Sequence, residues 1–104
     1  MTLKIITWNI NSIRKRYKHV CKILKENNPD IICLQETKVI DDLFPSSHFK
    51  DIGYNYILTS GQKSYNGVAI ISKGKLKNIR TDLIKDKLKQ SRIISAEVEY
   101  KKKT

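Results

Sequence analysis

Leu3-Lys4-Ile5-Ile6-Thr7-Trp8-Asn9-Ile10-Asn11 and Asp30-Ile31-Ile32-Cys33-Leu34-Gln35-Glu36-Thr37-Lys38 are the two stretches that decide the fold. Each is a short apolar run closed by a polar residue, Asn9 in the first and Glu36 in the second. Residues 3–8 and 31–34 are apolar enough to predict strands buried on both faces. Between them Ile13, Tyr17, Val20, Cys21 and Leu24 recur at helical spacing and predict one apolar stripe. Arg14, Lys15, Arg16, Lys18, Lys22 and Lys25 cover the rest of that helix. Asn11 and Ser12 are suited to cap its start, and Asn27-Asn28-Pro29 to stop it. A strand–helix–strand order has a crossover connection, so the two strands are expected to be parallel. Their carboxyl ends then lie side by side, where open α/β sheets build their sites. An amide and a carboxylate meeting there suit a hard cation such as Mg²⁺, which takes oxygen ligands and keeps several waters.

Beyond this unit the pattern is less even. Residues 41–53 read as loop with about one turn of helix. Residues 54–59 alternate, with Tyr54, Tyr56 and Leu58 on one side. A polar connection follows, with Gly61 near its start and Gly67 just past its end, and residues 68–71 form another apolar strand. Their closeness predicts a hairpin with a long loop. Residues 75–91 fit either a helical stripe or an edge strand plus loop. In the last strand Ile94, Ala96, Val98 and Tyr100 face one way, and Ser95, Glu97 and Glu99 the other.

The 104 residues suit one small domain or part of a larger one, taken here as a single unit over 1–104. A chain this short buries only about 65% of its extended surface, so its stability is expected to be modest. With 21 Lys+Arg against 10 Asp+Glu, the formal net charge is +11. That excess favours an anionic partner, nucleic acid first, although a Lys-, Ile- and Asn-rich composition also follows from an A+T-rich gene. Cys21 and Cys33 have no metal-type spacing and read as small core residues in a reducing compartment. No apolar run is long enough to cross a membrane, and an N-terminus that opens on a strand argues against a signal peptide. The expected location is cytoplasmic, with no membrane partner.

Trp8-Asn9-Ile10-Asn11-Ser12-Ile13-Arg14 followed by Leu34-Gln35-Glu36-Thr37-Lys38 resembles the opening of exodeoxyribonuclease III and the related apurinic/apyrimidinic (AP) endonucleases, members of the endonuclease/exonuclease/phosphatase superfamily. The resemblance continues through Asp41-Asp42-Leu43-Phe44-Pro45, Gly53-Tyr54, Gly61-Gln62-Lys63-Ser64-Tyr65-Asn66-Gly67-Val68-Ala69 and Arg92-Ile93-Ile94-Ser95-Ala96-Glu97. It implies the N-terminal portion of a four-layer αββα sandwich: an α/β (α+β) arrangement with one mixed β-sheet and helical cover. It also implies a DNA-repair nuclease that hydrolyses phosphodiester bonds with Mg²⁺ or Mn²⁺, at abasic sites and 3′ ends of duplex DNA. By position Asn9 and Glu36 correspond to metal-site residues. Asn11 stands close by, as an orienting group or partner of a metal-bound water. Lys63, Tyr65 and Asn66 fall on a loop near the DNA-binding face. There a Lys can meet a phosphate, a Tyr can pack on a sugar or base, and Gly67 permits close backbone approach.

Phosphodiester hydrolysis needs more than a metal ligand. A group must activate water, another must stabilise the charged transition state, and a third must assist the leaving oxygen. The resemblance assigns these roles to a Tyr, an Asp with a nearby Asn, and a late Asp-His pair, none of which has a counterpart here, so no catalytic set is complete in this chain. His19 and His48 fall on the helix's basic face and in the loop after Pro45, and both are expected at the surface. The chain is therefore expected to be a truncated fragment, inactive alone, or one half of a split gene that needs a complementing C-terminal chain. In an A+T-rich gene the Lys101-Lys102-Lys103 codons would form an adenine tract, an expected place for a frameshift. The alternative is a non-catalytic, basic nucleic-acid-binding remnant. An uncovered sheet face would expose apolar surface and call for a partner.

Overall fold

The computed structural model describes residues 3–61, 66–80 and 95–98, with side chains at 77–80 and 95–98 excepted. The apolar runs become β1 (Ile5–Asn9) and β2 (Ile31–Gln35), and the stripe between them becomes α1 (Ile13–Asn27). A 3₁₀ turn (Asp41–Leu43) and a short helix, α2 (Ser46–Lys50), precede the hairpin of β3 (Tyr56–Ser60) and β4 (Val68–Ser72). These four strands form one mixed sheet in the order β1-β2-β4-β3. β1 and β2 are parallel, with Asn9 opposite Gln35, whereas β4 runs antiparallel to both β2 and β3. A second, two-stranded antiparallel sheet joins β5 (Leu76–Arg80) to β6 (Ser95–Val98). The ambiguous stretch thus begins as a strand; residues 81–94 and the outward pattern of the last strand lie outside the described residues.

The core lies on one face of the mixed sheet. Ile32, Leu34, Ala69 and Ile71 from the strands meet Ile13, Val20 and Leu24 of α1 and Phe49 of α2, all buried. Each of these side chains larger than Ala69 contributes about 1.5–3 kcal/mol through the water it leaves. Tyr17 and Cys21 complete the stripe only in part, because both are half-buried.

Two sequence expectations change. β1 is not buried on both faces. Ile6 and Trp8 pack toward the core, while Thr7, Asn9 and a 54%-exposed Ile5 occupy the opposite face. The cover on that face ends at β2: Ile31, opposite Ile5 in the register, is buried, whereas Ile5 on the outermost strand is not. Tyr54 does not share a strand face with Tyr56. It precedes β3 and is 2% exposed, and its hydroxyl donates to the Pro29 carbonyl oxygen at 2.7 Å, whereas Tyr56 is 41% exposed. Burial first, and the Asp30 charge second, push the Tyr54 phenol up to about 12.

Cys21 and Cys33 are free thiols, and each is half-buried rather than fully internal. Both histidines are exposed, and the His48 ring lies against the Tyr17 ring with centroids 4.6 Å apart. No helix among the described residues is long and apolar enough to cross a membrane.

Candidate metal corner and its cationic cleft

The parallel register fixes the site. Asn9 ends β1 opposite Gln35, so Glu36 is the next residue beyond the end of β2. Asn9 shares the uncovered sheet face with Thr7, whose hydroxyl accepts a 2.9 Å bond from the Gln35 amide. Past the strand ends three loops lock together through backbone bonds. Ile10 N–H donates to the Gln35 carbonyl oxygen at 2.9 Å, Ser12 N–H to that of Glu36 at 2.8 Å, and Ile13 N–H to that of Thr37 at 3.0 Å. On the other side Thr37 N–H donates to Gly67 O at 3.1 Å and Lys38 N–H to Asn66 O at 2.8 Å. The segment 36–38 is therefore held between the start of α1 and the end of the β3–β4 connection.

This explains how α1 begins. Ser12 stands at the N-cap, but its side chain makes no cap bond and its φ is 91°. The amides of Ser12 and Ile13 are instead satisfied by the carbonyls of Glu36 and Thr37, which ties the helix start to that turn. Asn11, Ser12, Glu36, Lys38 and Asn66 all hold positive φ, at 48°, 91°, 55°, 58° and 57°. Asn28, the C-cap of α1, is the other non-glycine example among the described residues. Such conformations cost of order 1–3 kcal/mol each and gather where surrounding structure fixes a functional geometry. Gly67, with φ 93°, closes the corner; a Cβ there would collide with the hydroxyl of buried Thr37.

The side chains fit a hard divalent cation. Glu36 is half-buried, yet its carboxylate has no hydrogen-bond or ion-pair partner among the described residues, and the Asn9 amide is likewise unpartnered. No group of three His, Cys, Asp or Glu that could hold a metal occurs among the described residues. A site with one carboxylate and one amide oxygen suits Mg²⁺, whose remaining positions go to water and substrate phosphate. Asn11 differs: its side-chain oxygen accepts from the Lys38 ammonium, and its backbone oxygen accepts a 2.6 Å bond from Arg16. That side-chain oxygen is engaged, which matches an orienting role better than direct ligation.

One feature was hidden in the sequence. Arg14, Lys15, Arg16 and Lys38 line, with Asn11 and Ser12, a cleft at the α1 N-terminus. No acidic residue occupies the first turn, so the positive end of the helix dipole is unopposed there. Sequence reading placed the three α1 cations on a covering face; the turn at 36–38 adds Lys38 and makes a cleft beside the metal corner. Of the loop expected to face DNA, Asn66 lies at the corner through its bond to Lys38, while Lys63 and Tyr65 lie outside the described residues.

The family model described as Endonuclease/Exonuclease/phosphatase family matches residues 6–101. Exodeoxyribonuclease III of Haemophilus influenzae is 39% identical over 98 residues, covering 93% of this chain and 36% of that protein. An AP endonuclease structure from Archaeoglobus fulgidus superposes with TM-score 0.87 at 44% identity, covering 93% of this chain and 37% of its own. The Neisseria 3′ phosphatase NExo, solved bound to a product DNA hairpin, gives TM-score 0.86 at 40% identity, over 93% of this chain and 38% of its own. The chain thus spans a little over a third of the length of these relatives.

Proposed function

The chain belongs to the endonuclease/exonuclease/phosphatase family, within its DNA-repair nucleases, and on that premise we propose that it carries the metal-binding corner of an exodeoxyribonuclease III-type enzyme. The observation that carries this reading is the pair of unpartnered oxygen donors, Asn9 and Glu36, at adjacent parallel strand ends beside a cleft of four cations. Asn9 and Glu36 would hold Mg²⁺ or Mn²⁺. When bound, the cation supplies charge neutralisation at the scissile phosphate and acidifies water. Lys38 holds Asn11 in place next to it. Arg14, Lys15 and Arg16 bind flanking phosphates, positioning the duplex without reading its sequence. Asn66, with Lys63 and Tyr65, would extend that contact along the DNA.

The substrates of this reading are abasic sites and 3′ ends of duplex DNA. The groups that activate water and protonate the leaving oxygen would come from the C-terminal portion of the family's domain, which the test below supplies as a complementing chain. Exposed Ile5 and Tyr56, on the two outer strands of the face opposite the core, support a covering partner there. Free Cys21 and Cys33 support a reducing, cytoplasmic setting. The test is Mg²⁺-dependent nicking of an abasic duplex. The reading expects none from the chain alone and nicking once the complementing chain is added; metal-independent nicking, or none with both chains, would reject it.

The cationic cleft also favours a second reading, in which the chain binds nucleic acid without cutting it. That reading expects salt-sensitive, sequence-independent binding. Activity restored by a complementing chain would exclude it.

A further inference from the structure

A second groove runs along α1 away from the metal corner, between that helix and the segment that carries α2 and Ile52. Its floor is apolar: Tyr17, Cys21 and Ile52 are half-buried and pack against the core. Tyr17 and Cys21 stand one turn apart on the same helix face. The His48 ring closes one end against Tyr17, and the Cys21 thiol points to the His48 carbonyl oxygen at 4.0 Å. Burial pushes the Cys21 thiol up against the opposing influence of Lys25, as expected of a floor partly withdrawn from water.

The rim is charged unevenly. On the α1 side Lys22 pairs with Glu26 at 3.9 Å, which leaves Lys18 and Lys25 without an ion-pair partner among the described residues. Asp51 stands on the other rim. None of these residues takes part in the metal corner or its cationic cleft.

We propose that this groove docks a short acidic peptide segment of a protein partner, seating one apolar anchor on Tyr17, Cys21 and Ile52 and placing its carboxylates against Lys18 and Lys25. An apolar side chain gains most where the floor is already partly dry, and flanking charges set partner choice and encounter rate. A nucleic-acid strand fits less well. Its phosphates would find no donor on the apolar floor, and it carries no apolar side chain to seat there. The inference stands independently of the nuclease reading.

Fluorescence anisotropy of the full 104-residue chain with fluorescein-labelled Asp-Glu-Phe-Asp-Glu tests it. Saturable binding is expected, abolished when Ala replaces the Phe of the peptide. Lys18→Glu with Lys25→Glu should weaken it about tenfold, and Asp51→Asn should strengthen it, because a like charge is removed. Excess duplex DNA should leave the peptide bound. Equal affinity for the Phe and Ala peptides, indifference to the Lys18→Glu/Lys25→Glu pair, displacement by duplex DNA, or no binding would each overturn the proposal. Peptide-induced amide shifts at Tyr17 and Ile52 should appear in the unsubstituted chain, so the result does not depend on any variant folding.

Discussion

The backbone N–H of Ser12 donates to the carbonyl oxygen of Glu36 at 2.8 Å, joining the first turn of α1 to the residue that offers the site its carboxylate. Helix start and candidate metal ligand are therefore one structural unit. A change on either side chain can alter chemistry without loosening the frame, since the bond is made by backbone alone.

Glu36→Gln follows from this. The amide keeps the shape and the backbone bond but removes the charge that attracts a cation. Mg²⁺-dependent nicking by the chain with its complementing half should fall by at least about a hundredfold, the scale of losing a metal-site group, with little change in thermal midpoint. Activity measured beside a circular dichroism melt checks both halves of the expectation.

Gly67→Ala should act on stability instead. At φ 93° an added Cβ is strained, and it would strike the Thr37 hydroxyl in the packed corner. The expected destabilisation is about 2 kcal/mol, a fall of roughly 10 °C in thermal midpoint for a domain of this size. A melt of the variant reads it directly.

Arg14→Ala with Lys15→Ala tests the cationic cleft. Each cation withdrawn from a phosphate should reduce the magnitude of the log affinity versus log salt slope by about 0.9, so the pair should flatten it by about 1.8. The weakening should be equal for duplexes of different sequence, because phosphate contacts carry no base information. Binding titrations at several salt concentrations on two unrelated duplexes provide the comparison.

Tyr54 gives a pH dependence with a definite sign. Its phenol is raised from 10.0 to about 12 in the folded chain, so the protonated form is favoured by folding. That contribution is fully present below pH 10 and disappears as pH rises through 12. Tyr54→Phe should remove this step from the alkaline stability profile. At neutral pH it should cost about 1–2 kcal/mol, since the buried bond to the Pro29 carbonyl oxygen is removed. Urea melts at neutral pH, near the ordinary phenol value and between it and the raised one distinguish the two effects.

The strand–helix–strand unit was legible because the hydrophobic pattern is strong: two apolar runs and one stripe fix β1, α1, β2 and their parallel pairing. The β3–β4 hairpin was visible for the same reason. Uneven burial of β1 was not, because an apolar run does not say whether its strand ends a sheet. Tyr54 was misplaced because alternation in residues 54–59 begins before the strand that forms, and a buried hydroxyl partner at Pro29 is a tertiary fact. That Asn9 and Glu36 come together was legible from the two strand ends, and the register places Asn9 opposite Gln35; the metal role given to them is the proposal made above. The cleft was missed because Lys38 joins Arg14 and Lys15 only through left-handed turns at Glu36 and Lys38, conformations for which neither residue carries a sequence signal.

The central claim is that Asn9 and Glu36 form a divalent-cation corner in this chain. Paramagnetic broadening by Mn²⁺ in a two-dimensional amide NMR spectrum tests it without requiring activity. Selective disappearance of the Asn9, Ile10, Glu36 and Thr37 signals at low Mn²⁺, reversed by excess Mg²⁺ and abolished by Glu36→Gln, is the expected result. Broadening centred elsewhere, or unchanged by Glu36→Gln, would contradict it.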